Sequence, residues 1–332
     1  MTEFAPVPPP PVVVAERPAR RRQRRGMDGL LVAAWLLSVV GTAVLVVGLA
    51  LAALEATGPA SGIRLGVRAG VPAALTGGVM VLVGLSAASY RSIVLRRELG
   101  DDRYRGPSIL VLLAIVLVVG NLVTLPFIGS FVDMLNGSGA PSALETLIVL
   151  ASTSVVLLAV AVIFVGVPRA LPGVRLLPRA WGRLWQSFGL GILIGGPVWI
   201  VATVLSYFVS IGLSAVLDQP PDVQLVEEVF PHLNPWAAAL VIVVAAPVSE
   251  EVFFRGIVLN AWWREYGFVR ALLGSSFVFA AFHFSLFAFV PIFLLALVLG
   301  YVYAQTRSLI TVIGIHATFN AISTAILLIQ SG

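Results

Sequence analysis

Cysteine is absent from this 332-residue chain, which excludes disulfides, thiolate nucleophiles, iron–sulfur clusters and Cys-ligated zinc. Lysine is absent too: all 21 basic residues are arginine, a bias of GC-rich prokaryotic genomes. Histidine occurs only as His232, His283 and His316, so a metal would have to use these and carboxylates as ligands. Charge is equally scarce, with 11% of residues charged against 59% hydrophobic. Soluble domains carry about 25% charged residues, so this composition cannot build a water-facing surface. A bilayer takes the place of water around most of such a chain.

What is present divides into apolar runs. A helix needs about 20 apolar residues to cross the hydrocarbon core. On that rule, spans fall near 30–54, 70–90, 108–131, 143–168, 187–212, 236–260, 270–287, 289–306 and 308–329. The fold class expected is therefore an all-α polytopic membrane bundle of about nine helices, with Pro291 near the turn between the pair at 270–306, or eight if that pair is a single span. Residues 1–27 read as a Pro/Arg-rich cytoplasmic tail, 28–217 as the N-terminal membrane helices, 218–235 as an acidic extracytoplasmic loop and 236–330 as a functional core. Proline and mutually repelling arginines keep the tail from packing. Without aromatics or a folded scaffold, the tail's expected partner is anionic lipid and not nucleic acid.

Arginine distribution supports an inside tail, because cytoplasmic loops hold the excess of positive charge. With nine spans, 18 arginines fall inside, Arg64 and Arg68 fall outside, and Arg255 lies within a span. Merging the doubtful pair would move Arg307 outside, which favours the split. The expected location is the plasma membrane, with a cytoplasmic N-terminus. His232 reads as an ordinary residue of the outer loop. Gly77, Gly78 and Gly84, and likewise Gly189, Gly191, Gly195 and Gly196, read as close helix-packing positions.

Ionisable residues inside apolar spans cost roughly 2.5–3.5 kcal/mol each on insertion scales, and they face cavities or one another. Here they gather in the last third: Glu250, Glu251 and Arg255, then His283, then His316. At about 1.5 Å per residue these positions and Asn320 lie on the order of 12–20 Å from the cytoplasmic boundary, which argues for one polar pocket. Glu251 and Arg255 are i,i+4 neighbours and can pair, which leaves Glu250, about 100° away, free for other work. His316 and Asn320 share a face by the same spacing, and Phe279 can brace His283 or wall the pocket.

Two chemistries suit that set. Glu250, His283 and His316 could hold zinc with a fourth position left for water. Without a metal, Glu250 and His283 could activate water while His316 and Asn320 donate to an oxyanion. The residues alone leave both open.

The motifs run EExxxR at Glu250–Arg255, FxxxH at Phe279–His283 and HxxxN at His316–Asn320. In that order on successive apolar segments they resemble the CPBP family (CAAX-processing and bacteriocin-processing intramembrane proteases, also called ABI). The resemblance covers 236–330. It implies a glutamate-dependent endopeptidase site opening toward the cytoplasm, with Glu250, His283, His316 and Asn320 catalytic and Glu251 and Arg255 supporting. The implied partner is a peptide or protein substrate at the membrane, such as a prenylated protein, a leader peptide or a membrane regulator. Three rivals stand beside it. One is a non-catalytic scaffold or immunity protein of the same fold, and another is a transporter with helices kinked at Pro197 and Pro247. The third, a hydrolase using Ser249, lacks a Gly-x-Ser-x-Gly elbow.

Overall fold

The computed structural model describes residues 29–57, 70–97, 104–127, 141–166, 181–218 and 234–331, with a few isolated positions between 129 and 139. The 1–27 tail, most of the 218–235 loop and His232 lie outside the described residues. Among those described, the regular elements are all helical. They are α1 (Gly29–Thr57), α2 (Gly70–Arg97), α3 (Ile109–Thr124), α4 (Ala143–Val160), α5 (Trp181–Leu217), α6 (Pro235–Tyr266), α7 (Phe268–Ala281), α8 (Leu286–Thr306) and α9 (Leu309–Ser331).

Eight of the nine are long and apolar enough to cross a membrane. The exception is α7, whose 14 residues reach only about 21 Å at 1.5 Å per residue, short of the roughly 30 Å core. Residues 270–306 are therefore split, though not where proline suggested. The break falls at 282–285, where Phe284 takes a left-handed conformation (φ 51°). Ser285 then caps α8 by accepting from Ala288 N at 3.0 Å. Pro291 is buried inside α8.

The distribution of side chains is inverted relative to a soluble protein. Trp35, Val39, Leu193, Val201 and Phe208 face outward, while Glu251, Arg255, Asn260 and His316 are buried. An apolar exterior around a polar interior is what lipid as solvent demands.

Packing follows small residues. A Cβ on Gly77 would strike the Leu45 backbone, and one on Gly48 the Ala74 backbone, so α1 and α2 lie backbone against backbone. On α5, Gly191 and Gly195 press against Thr311, Gly314 and Ile315 of α9. Gly189 and Gly196 face open space and are not packing positions. A hydrogen bond from Trp199 Nε1 to Ser323 Oγ at 3.0 Å also ties α5 to α9. Further contacts set α3 on α2, α4 on α3, and both α4 and α9 on the middle of α6. That middle turn of α6 carries the two glutamates.

Candidate active site

Helix α6 is not a regular α-helix. It starts with Asn234 capping Trp236 N and Ala237 N, with Pro235 in the first turn. It widens into π turns over Leu240–Ala245 and Val252–Leu259, which flank an α segment Ala246–Glu251. Such π segments occur frequently at functional sites. At the end of the second one, Asn260 Nδ2 donates to Arg255 O at 2.7 Å and Gly256 O at 3.2 Å, and contacts Tyr303 Oη at 2.8 Å. This Asn–Tyr pair secures the bulged backbone below the site and was not foreseen from sequence. An amide inside an apolar span was the available signal.

Above that bulge, Glu251 is fully buried, and its Oε1 accepts from Arg255 Nη1 at 2.9 Å and from His316 Nδ1 at 2.9 Å. The i,i+4 ion pair expected from spacing is thus present, and it reaches α9 as well. Arg255 Nη2 donates to Ala296 O of α8 at 3.2 Å. Its guanidinium lies 4.4 Å from the centroid of Phe279, a cation–π contact. One charged pair therefore links α6 to α7, α8 and α9.

Glu250 points elsewhere. Its Oε2 lies 3.9 Å from His316 Nε2, beyond a direct hydrogen bond. That oxygen is buried and makes no hydrogen bond to a protein group. His316 Nδ1 faces the Glu251 carboxylate, which accepts, so Nδ1 is the donor there; in the neutral imidazole Nε2 is then the acceptor, turned toward Glu250.

Phe279 is buried at the centre of the cluster, its ring 5.0 Å from that of His283, 5.8 Å from that of His316 and 5.0 Å from that of Phe254. His283 sits on the turn after α7, on the exposed side, with Nδ1 hydrogen-bonded to Phe279 O at 2.9 Å. A carbonyl only accepts, so here too Nε2 is left free. Asn320 lies one turn beyond His316 on α9 and donates from Nδ2 to Ile242 O of α6 at 2.8 Å.

The structure thus gathers Glu250, Glu251, Arg255, Phe279 and His316. His283 joins the cluster only through the Phe279 ring, and Asn320 bonds α6 at Ile242. Among the described residues, no group of three or more His, Asp or Glu side chains is placed to hold a metal ion. Of Glu250, His283 and His316, only Glu250 and His316 come close to one another, at 3.9 Å. Ser249 is fully buried and spends its hydroxyl on Ala246 O at 2.9 Å, so it is no exposed nucleophile.

Beside His283, a cavity of about 420 Å³ opens between α3, α4 and the α7–α8 turn, with Phe282 and Phe284 on its wall. Asn121, Thr124 and Thr146 also line it. Each donates to the backbone carbonyl four residues back.

The fold and this buried cluster define a multi-pass all-α membrane protein with a polar carboxylate–imidazole site among its C-terminal helices. Residues 232–322 match the Rce1-like family, described as type II CAAX prenyl endopeptidase Rce1-like. That segment is thereby placed among the CAAX-type intramembrane proteases, the family its motif order resembles, and the family indicates a peptidase. Helices α1–α5 lie before the matched segment. No curated protein and no solved structure matches the chain.

Proposed function

We propose that the chain is an endopeptidase that hydrolyses a peptide bond of a membrane-associated substrate with water activated by Glu250. The observation that carries this reading is the orphaned, buried Glu250 Oε2 facing His316 Nε2 across 3.9 Å. Two acceptors at that separation suit a water that donates one proton to each. Glu250 takes a proton as the water oxygen attacks the scissile carbonyl carbon, and a tetrahedral oxyanion forms. The same carboxyl then returns the proton to the leaving amine as the C–N bond breaks. Glu251 keeps His316 in the tautomer that can accept, and Arg255 holds the same Glu251 oxygen in place. His283 packs on Phe279 and sits between Phe282 and Phe284, which line the cavity where the substrate chain would approach.

The substrate is a peptide or protein held at the bilayer, of the prenylated or leader-peptide kind. The arginine excess of the tail orients the N-terminus toward the cytoplasm, and the membrane is taken to be the plasma membrane.

The test compares membrane-peptide termini by mass spectrometry in cells carrying wild type or Glu250→Ala at equal abundance. Loss of specific termini in the variant is expected, since a general base contributes on the order of 10²–10⁴ in rate. Unchanged termini, together with a phenotype on deleting the whole protein, would replace the protease with a membrane scaffold of the same fold.

A further inference from the structure

Helix α6 contains an internal proline, Pro247, only three residues before Glu250. Proline has no N–H, so it leaves one carbonyl of the preceding turn without its helical donor. Which carbonyl is orphaned depends on the local register. Ala246 N donates to Val241 O, five residues back. In that π register the next donor, position 247, would serve Ile242 O. A regular α-helix would instead have orphaned Val243 O. Ile242 O is the atom that receives the 2.8 Å hydrogen bond from Asn320 Nδ2.

We infer that Asn320 is a positioning residue whose side-chain amide replaces the backbone N–H missing at Pro247 and so sets the phase of the turn that presents Glu250. The inference rests on the hydrolytic reading above and assigns Asn320 a task other than donation to an oxyanion. Asn320 and His316 are i,i+4 on one face of α9. The same face therefore meets α6 twice, at Ile242 through the amide and at Glu250–Glu251 through the imidazole. Helix α9 acts as a rigid ruler along α6. The amide fixes where the widened turn Leu240–Ala245 ends, and this determines how Glu250 Oε2 is aimed at His316 Nε2. A proline that frees a carbonyl, a π turn that selects which one, and an asparagine that satisfies it form a single device spread over two helices.

The experiment is a cycle of Asn320→Ala, Pro247→Ala and the double variant in the full chain. It is read by thermal unfolding in detergent, by amide exchange over 242–252, and by yield of the Glu250-dependent termini. Position 247 regains an N–H as alanine, so Ile242 O no longer depends on Asn320. Asn320→Ala alone should cut cleavage at least tenfold and speed exchange in that turn. In the Pro247→Ala background the same substitution should cost less than threefold, with exchange restored. If Asn320→Ala is equally damaging in both backgrounds, the positioning role is wrong and Asn320 acts on the substrate directly. If Asn320→Ala leaves exchange and cleavage unchanged, the role is wrong as well. Were wild type to yield no Glu250-dependent termini, the protease reading would fail on its own. The unfolding and exchange cycle would still decide whether Asn320 stands in for the missing N–H.

Discussion

Removing the Glu251 carboxylate tests how the cluster divides between folding and chemistry. Glu251 is fully buried, and its Oε1 holds both Arg255 and His316 at 2.9 Å. In Glu251→Ala the Arg255 guanidinium would lose its hydrogen-bonded carboxylate and keep Ala296 O, the face of Phe279 and the more distant Glu250 charge. Breaking one side of a buried ion pair costs about 3–5 kcal/mol, because the remaining charge is left uncompensated. At a few degrees per kcal/mol, the melting temperature should drop by on the order of 10 °C. Replacing both partners by methionine removes the charge with its counter-charge, and buried pairs exchanged in this way are often neutral or stabilising. The Glu251→Met, Arg255→Met variant should therefore regain most of the lost stability. It should not regain cleavage, because His316 would have no carboxylate to fix its tautomer, and acid–base catalysis is worth about 10²–10⁴. The assay pairs thermal unfolding in detergent with yield of the Glu250-dependent termini. A wild-type melting temperature for Glu251→Ala would refute the ion-pair argument. Restored cleavage in the double variant would refute the orienting role.

The neighbouring contacts lead to further expectations. Phe279→Ala removes the ring that touches Arg255, His283 and His316, and should cost about 3–5 kcal/mol by thermal unfolding together with most of the cleavage. Gly77→Val drives a side chain into the Leu45 backbone and should cost about 1–3 kcal/mol as α1 and α2 are forced apart. Gly120 lines the cavity beside His283, and a Cβ there meets nothing within 4 Å. Gly120→Phe should leave the melting temperature unchanged while raising KM more than it lowers kcat, if the substrate lies in that cavity. An unchanged KM would place the substrate elsewhere.

Much of this was legible before any coordinates. Composition dictated a membrane bundle, because 11% charge cannot cover a water-facing surface. Helical spacing paired Glu251 with Arg255 and put His316 and Asn320 on one face, since both relations lie within a single helix and depend only on 3.6 residues per turn. The motif order pointed to the family that residues 232–322 match. Glycine was legible in part: Gly77, Gly84, Gly191 and Gly195 do sit at close contacts, whereas Gly189 and Gly196 do not. Sequence marks a small residue but not what faces it.

Relations between helices were decided only by the tertiary structure. That His316 donates to Glu251 while facing Glu250 depends on how α9 crosses α6, and spacing within either helix says nothing of that. The turn before α8 formed at Phe282–Ser285 and not at Pro291, because a Ser cap and a left-handed residue can end a helical path that an early proline leaves intact. The π turns of α6 were invisible for the same reason. A shift from i−4 to i−5 hydrogen bonding leaves no compositional trace, and here it is held by partners on other helices: Asn320 on α9 and Tyr303 on α8. The sequence by itself determined the solvent, the helices and the residue types of the site. Packing decided which of those residues face one another, because that depends on contacts between segments far apart in the chain.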